Sequence, residues 1–219
     1  MRIGVCTSFG HAAVVQRAGA DYIEENVQRF LCPERPREEF LLQLSGAADA
    51  PLAIEAANAL LPPDMKLVGM PGRQPDRSRI ERYVRTALER AAEASIGLVV
   101  FGSGAARECP AGCDPGEAVP QIGEYLATWS AWAQACGIRI ALEPLRYGET
   151  NTLNTLAEGG ALVSSIAHSG ATLLADIYHM ACNGEGPDCL MPWSAVLSHV
   201  HVAERQDRSA PGRYGEDFP

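Results

Sequence analysis

The chain has 219 residues and a mass of 23.4 kDa, a size that fits one large domain better than two small ones. It is 47% hydrophobic and 21% charged, which excludes a disordered, collagen-like or low-complexity protein. The net charge of −9 disfavours nucleic acid and anionic membranes as partners, because like charges repel. We therefore expect a cytoplasmic protein that handles a small molecule.

The seven cysteines indicate a reducing compartment, because an odd number scattered through a chain of this size does not form a disulfide framework. No stretch approaches the roughly 18–20 consecutive apolar residues that span a bilayer. The short apolar run at residues 3–5 is typical of a first strand and not of a secretory signal. These features agree with a cytoplasmic location.

Short apolar runs typical of β-strands alternate with longer helical segments along the whole chain. The predicted strands cover residues 2–6, 22–24, 65–69, 98–101, 138–143, 172–176 and 199–203. The predicted helices cover residues 77–94, 117–136 and 158–168, where apolar side chains recur at helical spacing. The strands show little strict alternation of apolar and polar residues, which is typical of a parallel sheet covered on both faces. The pattern predicts one α/β domain over residues 1–219.

Two architectures fit this order of elements, an open doubly wound sheet and a (βα)8 TIM barrel. A doubly wound nucleotide-binding domain carries a glycine fingerprint directly after its first strand, and residues 7–11 have none. Polar and acidic residues instead recur at the carboxyl ends of several predicted strands, where barrel enzymes build their sites. We therefore predict the barrel.

The length is short for a complete barrel, which typically has about 250 residues. Seven strands are predicted, and the residues that follow the last of them are rich in glycine, proline and charge, which is typical of a loop. We therefore expect a barrel that ends after its seventh strand and lacks the last strand and helix. A natural short form and a fragment of a longer protein both fit this pattern.

Three of the predicted strand ends carry side chains that commonly bind metals. Glu143 ends the fifth predicted strand, Asp176 ends the sixth, and His201 lies in the seventh. In a parallel barrel, residues one strand–helix unit apart converge on the same mouth. Two carboxylates and one imidazole form a mixed ligand set that suits Mn²⁺, Co²⁺, Mg²⁺ or Fe²⁺. Each residue alone also fits a helix cap or a core histidine, but their occurrence on consecutive strands favours one shared metal site.

Short motifs follow most of the predicted strands in a fixed order. They are Asp21-Tyr22-Ile23-Glu24, Asn58-Ala59-Leu60-Leu61-Pro62, Phe101-Gly102-Ser103-Gly104-Ala105-Ala106-Arg107, Glu143-Pro144-Leu145 with Glu149, Asp176-Ile177-Tyr178-His179-Met180, and His199-Val200-His201-Val202-Ala203-Glu204 with Arg208 and Pro211-Gly212. Together they resemble the xylose isomerase-like barrels of sugar isomerases and epimerases. Within these, the resemblance is closest to the ketose 3-epimerases and related sugar phosphate isomerases or epimerases.

The resemblance implies roles for two sets of residues. The implied metal ligands are Glu143, Asp176 and His201. The residues implied to contact hydroxyl and carbonyl oxygens of the substrate are Glu149, His179 and Arg208. Arg205 is the alternative to Arg208, because the loop after His201 is longer than the family pattern. In the family, a glutamate on the eighth strand is the fourth ligand and the second acid/base, and this sequence offers no residue there.

The resemblance also implies a metal-dependent isomerase or epimerase that acts on a ketose or a related sugar or sugar phosphate. Mn²⁺ is the expected ion, with Co²⁺, Mg²⁺, Fe²⁺ and Zn²⁺ as alternatives. A bound metal acidifies the C–H next to a carbonyl and stabilises an enediolate, and Glu143 is the expected catalytic base. Because epimerisation needs a second group on the opposite face, we expect this chain alone to be weak or inactive in that reaction.

Three other functions are weighed against this one. A dehydratase or lyase on an inosose-like substrate begins with the same proton abstraction. A degenerate, non-catalytic member that binds a sugar or a partner fits the missing eighth strand. An endonuclease IV-like hydrolase is disfavoured, since residues 24–26 and 69–71 lack the extra histidines that it needs and the net charge opposes DNA binding. The unpaired edges of the first and seventh strands predict a homo-oligomer, a dimer or a higher assembly.

Some polar residues have simpler interpretations. His11, His168 and His199 show no partner in the sequence and are interpreted as structural. Residues 102–104 are interpreted as a tight turn after a strand in preference to a phosphate-binding loop. Arg107 fits either a contact to a substrate phosphate or a solvated loop residue.

Overall fold

The computed structural model describes residues 1–166 and 170–216, which form a curved parallel sheet with helices packed on its outer face. The seven strands are β1 (Gly4–Cys6), β2 (Tyr22–Asn26), β3 (Ile54–Asn58), β4 (Leu98–Phe101), β5 (Arg139–Leu142), β6 (Ala171–Asp176) and β7 (Leu197–His201). The helices are α1 (Ala12–Arg17), α2 (Arg37–Ala48), α3 (Arg77–Glu93), α4 (Gly104–Arg107), α5 (Pro115–Ala135), α6 (Leu156–Ser165) and α7 (Ile177–Asn183). Each strand pairs in parallel with the next one along the chain.

The sheet curls far enough to bring its two ends together across the interior. His201 is on the last strand, β7, and Glu24 is on β2, the second strand from the other end, yet His201 Nε2 lies 2.9 Å from Glu24 Oε1. The thiol of Cys6 on β1 lies 3.9 Å from the same nitrogen. The TIM-barrel architecture predicted from the sequence is therefore confirmed, with seven strands in the described part of the chain.

The two largest apolar clusters lie on opposite faces of the sheet, because successive strand residues point to opposite sides. The larger cluster is between the sheet and the helices, where Trp129 of α5 packs edge-on against Phe101 of β4 at 5.4 Å between ring centroids. The smaller one lies inside the barrel and consists of Ala56, Leu98, Val100, Ala141 and Leu174. The middle of the barrel interior is thus apolar, and its polar groups are concentrated near the strand ends.

The predicted third strand is wrong. Residues 65–69 have no regular structure, and β3 is formed by Ile54–Asn58 instead. The segment 65–69 is apolar and includes buried Met65 and Leu67, but the N–H of Leu67 donates to the carbonyl of Ala106 in α4 and not to a strand. The true β3 contains Glu-Ala-Ala, which has helical propensity, so local sequence disfavours it. Its Ala56 is buried in the apolar cluster inside the barrel.

The other predicted elements agree with the structure to within a few residues. Helix α6 begins with a capping box, in which Thr155 Oγ1 accepts from the N–H of Glu158 and the Glu158 carboxylate accepts from the N–H of Thr155. The predicted end of this helix at His168 lies outside the described residues.

All seven cysteines are free thiols. In the residues that the structure covers, we find no helix with the length and apolarity needed to cross a membrane.

The outer edges of β1 and β7 do not pair with each other in the described residues. Apolar side chains are exposed along or beside both edges, namely Ile3, Val5, Val200 and Val202. Unpaired strand edges with apolar side chains favour association with another chain. Association into a homo-oligomer stays a prediction, and these exposed strand edges are the structural reason for it.

Candidate functional site

The carboxyl ends of β5, β6 and β7 bring three ionisable side chains together at one mouth of the barrel. Glu143 follows β5, Asp176 ends β6 and His201 ends β7. One potential ligand atom from each lies within 4.8 Å of the other two. His201 Nδ1 is 3.3 Å from Glu143 Oε1 and 4.0 Å from Asp176 Oδ2. The structure thus assembles the three residues that the sequence assigned to a metal, and their role as ligands stays a prediction.

The register of the parallel strands explains why these groups meet. Asp176 is paired directly with His201 across β6 and β7, and the N–H of Glu143 donates to the carbonyl of Phe101 on β4 at 3.1 Å. Asp176 also caps α7, because its Oδ1 accepts from two backbone N–H groups of that helix at 2.8 and 3.2 Å. The cap uses Oδ1 and leaves Oδ2 facing the site. Helix cap and ligand are therefore compatible interpretations of Asp176.

A glycine provides the space that the Glu143 carboxylate occupies. A Cβ placed on Gly102 would collide with Glu143 Oε2. Gly102 follows β4 directly, in the strand-to-helix turn that the sequence predicted for residues 102–104. A side chain at this position would therefore require the carboxylate to leave its place beside Asp176 and His201 or the backbone to shift.

We expect Gly102→Ala to weaken Mn²⁺ binding at least about tenfold and to lower any activity about 100-fold, because misplacing a reacting group by about 1 Å can have an effect of that size. Gly97→Ala is the matched control, since a Cβ at Gly97 meets no atom within 4 Å. Titration calorimetry of both folded variants measures the difference. Equal affinities for Mn²⁺ in the two variants would contradict this role of Gly102.

A layer of polar residues behind His201 fixes the orientation of its ring. Glu24 lies between two imidazoles, with Oε1 2.9 Å from His201 Nε2 and Oε2 2.8 Å from His199 Nε2. Asn58 at the end of β3 donates its side-chain N–H to Glu24 Oε1 at 2.9 Å. When the Nε2–H of a neutral His201 is donated to Glu24, the lone pair of Nδ1 faces Glu143 and Asp176. A carboxylate behind a ligating histidine is a common feature of protein metal sites.

The pKa values at this mouth show that negative charge accumulates there. Burial alone would lower the pKa of His201, but hydrogen bonds with Cys6, Glu143 and Glu24 outweigh it and raise the pKa. Burial would raise the pKa of Glu24, yet the two imidazoles hold it well below its ordinary value. Burial and the charge of Glu143 raise the pKa of Asp176. In the absence of a metal ion, the proton on His201 and the guanidinium of Arg208, which lies 3.1 Å from Asp176 Oδ2, offset this negative charge. A divalent ion at His201 Nδ1 would displace the proton.

The donor set fits a divalent metal ion. It offers two carboxylates and one imidazole, all at least partly buried and with their donor atoms close together. The second carboxylate layer formed by Glu24 supports the histidine from behind. Glu143, Asp176 and His201 are therefore the residues that would hold such an ion.

The residues implied to contact a substrate lie beside this donor set. Buried His179 has its Nε2 3.6 Å from Asp176 Oδ2, and its Nδ1 accepts from the N–H of Arg146 at 3.3 Å. Arg208 Nη2 lies 3.1 Å from Asp176 Oδ2 and 3.2 Å from His179 Nε2. Glu149 Oε1 lies 3.8 Å from Arg208 Nη1. Burial lowers the pKa of His179, so this imidazole is neutral next to the cationic guanidinium.

The loop after β7 selects Arg208 over Arg205 as the arginine at the site. The side chain of Arg205 turns away and pairs with Glu216 at 2.8 Å. Fully buried Glu204 folds the loop around itself, because its carboxylate accepts backbone N–H groups, including that of Tyr214 at 2.6 Å. This fold directs Arg208 back to Asp176. Sequence reasoning missed this role of Glu204, because a buried carboxylate that binds loop backbone has no distinctive local pattern.

The structure also changes the interpretation of other polar residues. Arg107 is fully buried, so it is neither solvated nor at a phosphate, and its Nη2 donates to the carbonyl of Glu143 at 2.9 Å. His199 has a partner after all, which is Glu24, and His11 Nδ1 lies 2.8 Å from the hydroxyl of Thr7. Sequence reasoning missed Glu24 as part of the site. The signal was present, since Glu24 ends the predicted second strand.

An open cavity of about 1830 Å³ runs from this mouth into the barrel. It is lined by Glu143, Glu149, Asp176, His179, His201 and Arg208, among other residues. All six residues that the sequence assigned to metal or substrate thus border one space. A small polar molecule would fit there, in contact with both the donor set and Arg208.

Family comparison agrees with this geometry. The sequence model of the family described as xylose isomerase-like TIM barrel matches residues 12–219. The chain belongs to the xylose isomerase-like TIM barrel family. Among curated members, the D-psicose 3-epimerase of Agrobacterium fabrum is 30% identical over 83 residues, which are 37% of this chain and 28% of that protein. The aligned segment is thus a small part of that relative.

Two solved structures share the fold of this chain. A D-psicose 3-epimerase crystallised in the presence of D-fructose superposes with a TM-score of 0.83 and 19% identity, and the match covers 100% of this chain and 78% of that one. The IolI protein with a binding zinc atom superposes with a TM-score of 0.71 and 18% identity, and the match covers 100% and 75%. At these identities the likeness shows the shared fold.

Proposed function

We propose that this chain carries the metal and substrate site of an isomerase or epimerase that acts on a ketose or a related sugar. The observation that supports it best is the convergence of Glu143, Asp176 and His201, with His179 and Arg208 in contact with the same Asp176. A mixed carboxylate and imidazole set beside a cationic guanidinium suits a ligand with adjacent hydroxyl and carbonyl oxygens. The family relationship to D-psicose 3-epimerase supports the same class of reaction.

Glu143, Asp176 and His201 would hold a divalent ion, with Mn²⁺ as the proposed metal. When bound, such an ion withdraws electrons from a carbonyl and makes the neighbouring C–H more acidic. Mn²⁺ suits this oxygen-rich set, and Co²⁺, Mg²⁺, Fe²⁺ and Zn²⁺ are the alternatives. The zinc atom bound by the IolI protein, which has the same fold, supports a divalent ion here.

Glu143 is the proposed base. It takes the proton from the carbon next to the substrate carbonyl, and the electron pair left behind moves onto the carbonyl oxygen. The guanidinium of Arg208 stabilises the negative charge on that oxygen, and neutral His179 provides an N–H donor beside it. Glu149 Oε1 accepts from Arg146 at 2.9 Å and lies 3.8 Å from Arg208, so its other carboxylate oxygen is the one that would accept from a substrate hydroxyl. These contacts orient the sugar so that its C–H faces Glu143.

Isomerisation and epimerisation place different demands on the site. Moving a proton between neighbouring carbons on one face needs one base, and Glu143 meets that need. Inverting a carbon needs a second acid on the opposite face. We therefore propose isomerisation as the reaction that Glu143 can support by itself, and epimerisation as one that needs a second acid.

Metal analysis followed by a ketose panel in ²H₂O tests the proposal. The protein loaded with Mn²⁺ should bind about one equivalent and incorporate deuterium at the carbon next to the carbonyl of at least one ketose. Loss of water from an inosose would instead identify a dehydratase or lyase. Bound metal with neither deuterium incorporation nor elimination would indicate a non-catalytic sugar-binding member and would overturn the proposed activity.

A further inference from the structure

His201 is in contact with two different groups of potential ligands, one at each ring nitrogen. Nδ1 faces Glu143 and Asp176, as described above. Nε2 faces the opposite side, where Glu24 Oε1 lies at 2.9 Å and Cys6 Sγ at 3.9 Å. One ligand atom from each of Cys6, Glu24 and His201 lies within 4.8 Å of the others. The two triads therefore share one imidazole.

We propose that Cys6, Glu24 and His201 Nε2 form a second cation site that is selective for a thiophilic divalent ion such as Zn²⁺. A set of one sulfur, one oxygen and one nitrogen suits zinc, which accepts all three donor types and leaves a fourth position open in such sites. The Glu143 triad contains no sulfur and suits harder ions such as Mn²⁺. The barrel thus has two neighbouring candidate sites, one with a soft sulfur ligand and one with harder oxygen and nitrogen ligands.

The spacing of the donor atoms is within about half an ångström of a tetrahedral zinc site. Tetrahedral bonds of about 2.3 Å to sulfur and about 2.0–2.1 Å to nitrogen place adjacent ligand atoms about 3.3–3.6 Å apart. The observed separations of 3.9 Å and 2.9 Å lie on either side of that range. Sub-ångström shifts of the Cys6 and Glu24 side chains would complete the geometry. The Cys6 thiol is exposed to the open interior, so an ion can reach it.

Glu24 is positioned for this role by its neighbours. Its Oε2 is held by His199 at 2.8 Å, and Asn58 donates to its Oε1 at 2.9 Å. The carboxylate is 2% exposed, so it has little freedom to turn away. Residues that orient a ligand from behind raise the affinity of a metal site.

The two sites exclude each other through the tautomer of His201. A neutral imidazole has one N–H and one lone pair. A metal at the Glu143 triad needs the lone pair on Nδ1, so the proton is on Nε2 and is donated to Glu24. An ion at Cys6 and Glu24 needs the lone pair on Nε2, so Nδ1–H points at Glu143 and Asp176. This exclusion rests on the proposed function, whereas the second site itself does not.

Cobalt spectroscopy of the full chain tests the site, because thiolate bound to Co²⁺ gives a charge-transfer absorption in the near ultraviolet. We expect this band in the wild type and in Asp176→Asn, which removes a ligand of the other triad. It should vanish in Cys6→Ser and persist in Cys182→Ser, whose exposed thiol lies outside the site. Zinc competition should show at least about tenfold weaker binding in Cys6→Ser.

The results of these experiments distinguish the second cation site from the proposed metal site at Glu143, Asp176 and His201. Cobalt that binds without a thiolate band, and is lost in Asp176→Asn, would overturn the second site and leave the first intact. A thiolate band that survives Cys6→Ser would overturn it as well. A further measurement uses only the wild type, so it does not depend on whether a variant folds. Zn²⁺ should lower the alkylation rate of Cys6 at least about tenfold, and it should leave the rate of Cys182 unchanged. Equal alkylation rates with and without Zn²⁺ would contradict the proposal.

Discussion

Asp176→Asn should remove at least about 99% of the Mn²⁺ affinity while leaving the protein folded. Loss of one charged ligand from a three-ligand set lowers affinity by more than the 10- to 100-fold cost of losing a group behind a ligand. Asparagine is as good a helix cap as aspartate, so the contacts of Oδ1 with α7 survive the change. The raised pKa of Asp176 means that its ionised form is disfavoured in the fold. A neutral asparagine removes that penalty, so metal-free stability at neutral pH should be unchanged or higher.

Thermal unfolding with and without Mn²⁺ measures this effect. At a free metal concentration of 100 times Kd, binding stabilises the wild type by about 2.7 kcal/mol. That corresponds to a rise in Tm of roughly 5–10 °C for a chain of this length. Asp188→Asn, an exposed carboxylate outside the site, is the control and should keep the full rise. An equal rise in Asp176→Asn would show that Mn²⁺ binds elsewhere.

Glu143→Gln should lower the rate of deuterium exchange into the substrate by about 10²–10⁴-fold, which is the usual contribution of a general base. Glutamine keeps an oxygen that can still bind metal weakly, but it cannot accept the proton. The rate should therefore stay low when Mn²⁺ is raised to saturate the variant. A merely weakened metal site would recover its rate under the same conditions.

Exchange assayed by NMR in ²H₂O over a range of Mn²⁺ concentrations distinguishes these cases. Glu108→Gln is the matched control, because Glu108 is exposed and lies outside the donor set. The control should exchange at the wild-type rate. Full recovery of Glu143→Gln at high Mn²⁺ would assign Glu143 to metal binding alone and would require another base.

The sequence could predict that the candidate ligands meet at the barrel mouth, because all the strands run in the same direction and end at that mouth. Once Glu143, Asp176 and His201 are placed on successive parallel strands, the fold leaves little freedom in where they point. Strand β3 could not be predicted in the same way. Its Glu-Ala-Ala core has no β propensity, and only pairing with β2 and β4 makes it a strand.

The polar surroundings of the site also depend on contacts between distant parts of the chain. Glu24 and His201 are far apart in sequence and meet only because the sheet curls. Glu204 accepts hydrogen bonds from backbone N–H groups of its own loop, and Arg107 donates one to the carbonyl of Glu143. Such contacts depend on side-chain reach and loop conformation, which hydrophobic periodicity does not encode.

Anomalous diffraction from crystals grown with Mn²⁺ tests most directly whether the barrel mouth holds a metal. We expect one manganese peak there, in contact with oxygens of Glu143 and Asp176 and with Nδ1 of His201. A peak coordinated by other residues, or a mouth without manganese at saturating metal, would contradict the proposed site.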